Sequence, residues 1–257
     1  MRAVLLVTAL LLGVGGCAST PPVEDDEGPR TDSERASEAN TQLGVAYLRD
    51  GELQQALRKL QKALRQDPRN ADAHTVAGVV YERLDERALA DEHYSRAVDL
   101  APNNGTALDD FGRFLCDNDK VDRALSMFER AAANPLYERA ALALTNAGNC
   151  ALNAGRRDAG EDYLLRALEA DGEYAPALLD MARLRYEDEH YMNARAFYQR
   201  YLAVASQTPE SAWLGLRIEH ELGNRDAAAS YRLLLSDRFA DSPQTRRMLE
   251  WESDGKP

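Results

Sequence analysis

Apolar positions divide the chain into three regimes. Residues 3–14 run Ala3-Val4-Leu5-Leu6-Val7-Thr8-Ala9-Leu10-Leu11-Leu12-Gly13-Val14, with Arg2 the only charge before them. From Ala18 to Arg35 a single large apolar residue, Val23, stands among Pro, Ser and charged residues. Beyond that, small and apolar residues return in one fixed order. Leu43-Gly44…Tyr47…Ala56…Leu60…Ala63 is followed by Ala77-Gly78…Tyr81…Ala90…Tyr94…Ala97. Phe111-Gly112…Leu115…Ala124…Phe128…Ala131 and Ala147-Gly148…Ala151…Gly160…Leu164…Ala167 repeat it. The fifth copy is Met181-Ala182…Ala194…Tyr198…Tyr201, and the sixth reads Leu216-Arg217…His220…Ala229…Leu233…Ser236. From Gly44 the anchors lie 34, 34, 36, 34 and 35 residues apart, the longer third step falling at Asn134-Pro135-Leu136-Tyr137.

Within each copy the spacing is helical, so each predicts two antiparallel helices of about 14 residues. A glycine inside a helix costs about 1 kcal/mol against alanine. Its return at one slot therefore points to close packing there, with the second helix approaching through Ala56, Ala90, Ala124, Gly160 and Ala194. Gly51 and Gly155 mark turns, and Pro68 and Pro102 close second helices. The pattern resembles the tetratricopeptide repeat (TPR). That resemblance implies an all-α fold: a right-handed α-α superhelix of six repeats (37–70, 71–104, 105–140, 141–174, 175–208, 209–242) whose concave face is lined by first helices. The sixth repeat carries Arg217 in the small slot, as suits a terminal repeat. Residues 243–257 form a capping helix and tail, with Met248, Leu249 and Trp251 available to cover the last repeat.

Helical spacing places slots two, five, nine and twelve of each first helix on one face. The candidate partner-binding surface is therefore Thr41, Val45, Leu48, Thr75, Val79, Glu82, Arg113, Leu142, Asn149, Leu179 and Tyr186, a mixed surface suited to a peptide with apolar anchors. Packing between repeats is expected to take up about half of these slots. The Lys and Asn residues by which some such modules clamp a terminal carboxylate are missing; Thr41, Val45, Val76, Thr106 and Asp110 stand in those slots.

The apolar run is too short to span a bilayer and has the layout of a secretory signal. Gly15-Gly16-Cys17 after it resembles the bacterial lipobox, which implies cleavage before Cys17 and its lipidation; Val14 and Gly15 depart mildly from the usual residues. Ala18, rather than Asp, after the cysteine implies sorting to the outer membrane. Residues 1–16 are thus read as signal and 17–36 as lipidated cysteine and polar tether, a stretch with too little apolar surface to fold by itself.

The 257 residues carry 31 Lys+Arg against 43 Asp+Glu, a formal charge of −12. Such an acidic chain is a poor polyphosphate binder, which excludes nucleic acid as partner. Removal of Arg2 with the signal makes the charge −13, so the body should stand off an anionic surface. His74, His93, His190 and His220 fall in different helices, none in a metalloprotease spacing. His190 after Glu187-Asp188-Glu189 reads as a solvated turn. No nucleophile elbow, phosphate loop or dinucleotide motif occurs. Neither an enzyme nor a cofactor or metal site is expected. Cys116 and Cys150 occupy nearby slots of adjacent first helices, and export to an oxidising compartment favours their pairing; two free buried thiols are the alternative.

A lipobox, a short tether, six repeats and cysteines around the third and fourth make the chain similar to the type IV pilus biogenesis lipoproteins of the PilF/PilW family. The resemblance implies a pilotin, with Cys17 as lipid anchor and the concave face of the first repeats meeting the pilus secretin at the outer membrane. The protein is expected to be a monomer. A scaffold lipoprotein recruiting peptidoglycan enzymes or assisting β-barrel assembly is the alternative.

Overall fold

The computed structural model describes residues 30–254, so Cys17 and most of the segment read as signal and tether lie outside the described residues. Those described form thirteen helices and no strand. Six hairpins follow one another: α1 (Asp32–Arg49) with α2 (Leu53–Gln66), α3 (Ala71–Arg83) with α4 (Arg87–Leu100), and α5 (Gly105–Asp117) with α6 (Val121–Ala132). Next come α7 (Ala140–Asn153) with α8 (Arg157–Ala170), α9 (Ala175–Glu187) with α10 (Tyr191–Val204), and α11 (Pro209–Glu221) with α12 (Arg225–Arg238). Helix α13 (Pro243–Ser253) closes the array.

Each odd-numbered helix packs on its own partner and on the next odd-numbered helix, whereas the backbones of successive even-numbered helices stay apart. Unequal spacing of the two layers bends the stack into a superhelix with first helices inside the curve. Within a hairpin, side-chain size sets the approach of the two helices. A Cβ added at Gly112 would lie 2.7 Å from the Phe128 ring, so only a bare backbone lets α5 sit this close to α6. Gly44 meets Leu60 and Gly78 meets Tyr94 in the same way. These large residues stand four positions beyond the small ones through which the sequence pattern brings the second helix near; Ala56, Ala90, Ala124 and Ala194 are fully buried there, and a Cβ at Gly160 would lie 3.1 Å from the Gly148 carbonyl oxygen. Tyr94, Phe111, Phe114 and Phe128 then form the centre of the largest buried cluster, shared by the second to fourth repeats.

One residue per hairpin turn is left-handed: Gly51, Asp85, Asp119, Gly155, Glu189 and Gly223, with φ between 58° and 76°. Their numbers step by 34, 34, 36, 34 and 34, which corrects the last spacing of the sequence reading. In the sixth repeat Leu216, not Arg217, takes the small slot. Ala228 and Leu235 are buried where Ala229 and Ser236 are expected, and Leu233 is 68% exposed. The two extra residues of the third repeat bring Tyr137 over Gly105, where a Cβ would lie 2.4 Å from the ring.

Two further corrections concern the ends. Helix α1 starts at Asp32, inside the segment read as tether. There Thr31 caps it, accepting from the Glu34 N–H while the Glu34 carboxylate accepts from the Thr31 N–H. At the other end Met248 is buried against Ala212, Leu216 and Leu235, and Trp251 meets Trp213 edge-on at 5.7 Å. Leu249 is 54% exposed and covers nothing.

Candidate partner-binding groove

Odd-numbered helices present their slots to the inside of the curve, but not all slots are open. Thr41 and Thr75 are buried, and their hydroxyls donate to the Ser37 and Ala71 carbonyls one turn back. Both are thereby withdrawn from the proposed surface: the next repeat covers slot five, and the returning bond satisfies the hydroxyl. Val45, Leu48, Val79, Leu142, Leu179 and Tyr186 are half-buried and keep an accessible edge.

Polar side chains of the groove bond across repeat boundaries. The Arg113 guanidinium donates to both Glu82 carboxylate oxygens, at 2.9 and 3.3 Å, and the Tyr94 hydroxyl donates to Glu82 at 2.8 Å. Burial works against the Arg113 charge, but Glu82 outweighs it and holds the pKa above its ordinary value. The ion pairs of Arg113 are with Glu82 and Asp117, and not with Asp109 one turn back on the same helix. Asp109 instead accepts from Asn146 at 3.0 Å, and Asn149 donates to Asp180 at 2.9 Å. Burial pushes the carboxyls of Asp109, Asp110 and Asp180 above the usual range, opposed by Asn146 at Asp109, Arg113 at Asp110 and Asn149 at Asp180.

Asp180 and Asn146 escape the four-slot reading. The available signal is slot six, polar in three consecutive repeats as Asp110, Asn146 and Asp180. Asn149, Leu152, Arg157, Asp180, Arg183 and Glu187 border a cleft of about 330 Å³ between the fourth and fifth repeats. At the C-terminal end the Arg217 guanidinium lies 4.6 Å from the Tyr186 ring and 5.3 Å from the Trp213 ring. Exposed or half-exposed Tyr, Trp and Arg are the side chains that most often anchor protein interfaces.

Cys116 of α5 and Cys150 of α7 are joined by a disulfide, with Cα atoms 5.9 Å apart. Among the described residues no three His, Cys, Asp or Glu side chains converge to hold a metal. The chemistry available in the groove is recognition: apolar edges, fixed hydrogen-bonding groups and a stacked cation.

The family model described as "Tetratricopeptide repeat" matches residues 41–105 and 110–175. The type IV pilus assembly protein PilF of Pseudomonas aeruginosa is 31% identical over 240 residues, 92% of this chain and 94% of that protein. The solved Pseudomonas aeruginosa PilF structure superposes with a TM-score of 0.74 at 30% identity, covering 86% of this chain and 99% of that one. PilW, described as a widely conserved type IV pilus biogenesis factor, gives 0.73 at 28% identity over 83% of this chain and 98% of its own.

Proposed function

This chain belongs to the tetratricopeptide-repeat proteins of type IV pilus biogenesis, and from that premise we propose that it is a pilotin, held at the outer membrane by acylated Cys17 and bringing the pilus secretin there for assembly. The observation that carries the reading is likeness to a pilus assembly protein over nine-tenths of the chain, well beyond the repeat motif alone. The groove supports it by offering accessible apolar edges at Val45, Leu48 and Leu142 between polar groups already fixed by their own partners. A polypeptide laid along such a lane gains apolar contact at several points and needs few new charges neutralised. The tether lets the acidic body of a mature chain of formal charge −13 stand away from the anionic membrane surface.

Two variants test it in cells. Replacing Cys17 by Ala should release the protein from the membrane and remove secretin multimers from the outer membrane. Val45→Glu with Leu48→Glu should leave anchoring and helicity intact while reducing secretin multimers. Multimers at wild-type level in the Cys17 variant would reject the pilotin role; at wild-type level only in the groove variant, they would move the contact elsewhere.

A further inference from the structure

Outside the first-helix lane, the N-terminal half of α3 and the middle of α4 bring His74 and His93 together. Their Nδ1 atoms are 3.1 Å apart, and their ring centroids lie 5.1 Å apart. The His74 Nε2–H points to the Pro68 carbonyl oxygen, an acceptor only, at 3.2 Å. That bond fixes the tautomer and leaves the His74 Nδ1 lone pair directed at His93. Tyr81 packs against the His93 ring from the other side, at 5.2 Å. The pair lies in a cleft of about 470 Å³ walled by Leu64 and Pro68, with Glu92 and Asp99 among its lining residues.

The geometry points to a two-histidine site for a borderline transition ion (Zn²⁺, Ni²⁺ or Cu²⁺), ligated by the Nδ1 atoms of His74 and His93, with water completing the coordination from the cleft. Two metal–nitrogen bonds of about 2.1 Å that span 3.1 Å subtend roughly 95°. This lies between the right angle of tetragonal sites and the tetrahedral angle, and each ring ligates by turning so that its Nδ1 lone pair meets the ion instead of the facing nitrogen. The Pro68 carbonyl is the outer-shell acceptor that ligating histidines ordinarily have, already in place. Burial lowers both imidazole pKa values, so neither ring must give up a proton near neutral pH. Arg96 opposes a cation here, while Glu92 and Asp67 favour one. Without a metal the same contact is a hydrogen bond from the His93 Nδ1–H to His74. That hydrogen bond and metal ligation exclude each other, which makes the site testable.

The test is titration of the full untagged chain, disulfide intact, with ZnCl₂ or NiCl₂ near neutral pH, following the His74 and His93 ring nitrogens by NMR and the binding heat by calorimetry. One ion per chain should perturb both Nδ1 resonances and leave those of His190 and His220 in place. His74→Gln and His93→Gln should each weaken binding about tenfold or more with helicity unchanged. Two variants are used so that one remains informative should the other misfold. Ring nitrogens that do not respond at metal concentrations up to about 1 mM would overturn the site. So would binding that persists in the double variant, which would assign the ion to surface carboxylates.

Discussion

Each of the first four hairpins of this protein depends on one missing methyl group. At Gly112 the Phe128 ring occupies the volume a Cβ would need, and the ring is itself fully enclosed. Gly112→Ala gains about 1 kcal/mol of helix propensity but loses about 1–3 kcal/mol to overpacking. Its urea midpoint should therefore fall, and an unchanged or higher midpoint would mean the ring can move aside. The small and large apolar slots can be read from the amino acids in the first five repeats because close packing there restricts each to a narrow range of side-chain size. The groove is harder to read. Thr41 and Thr75 look like surface residues by type, yet a hydroxyl that returns to its own helix can be buried at little cost, and nothing in the letters distinguishes the two states. Glu82 and Arg113 are 31 residues apart, so their pairing follows from how one repeat is set on the next. Only coordinates give that.

Turns set the register of the elements. Three of the six left-handed turn positions are glycine, and Asp85, Asp119 and Glu189 hold the same conformation with a Cβ. Aspartate is among the residues that tolerate it; glutamate is less suited. Glu189→Gly should raise stability by about 0.5–1 kcal/mol, the relief of the strained φ exceeding the added freedom of the unfolded chain. A midpoint that falls in thermal unfolding would contradict this. These turns also explain the one-residue error in the sixth repeat. Leu216 and Arg232 fill slots that hold small and large apolar residues elsewhere, so the hydrophobic pattern fades there, while Gly223 keeps the 34-residue step. At the N-terminus a capping box starts α1 among charged residues that, by composition alone, read as tether. Local hydrogen bonding outweighs composition over those few positions.

For the molecule as a whole, the lengthened third repeat sits at a junction tied twice, by Tyr137 over Gly105 and by the Cys116–Cys150 bond. Closing 34 residues of chain stabilises by about 3–4 kcal/mol in the chain-entropy model. Reduction should lower the unfolding midpoint accordingly, with helicity retained before the transition; equal midpoints with and without reductant would show the bond to be thermodynamically silent. The polar bonds across the boundaries differ from one to the next. Asn70 bonds Ser37 at the first, Arg113 bonds Glu82 at the second, Asn146 bonds Asp109 at the third, Asn149 bonds Asp180 at the fourth, and Arg195 meets Glu219 at the fifth. A tandem array of similar units runs the risk of docking a unit on the wrong neighbour as it folds. Here every seam has its own key, and a mismatch at the third or the fifth would strand the buried Asp109 or Glu219 carboxylate without its counterpart. The six units are therefore not interchangeable: shuffling their order, with every hairpin preserved, would leave these seam bonds unmade.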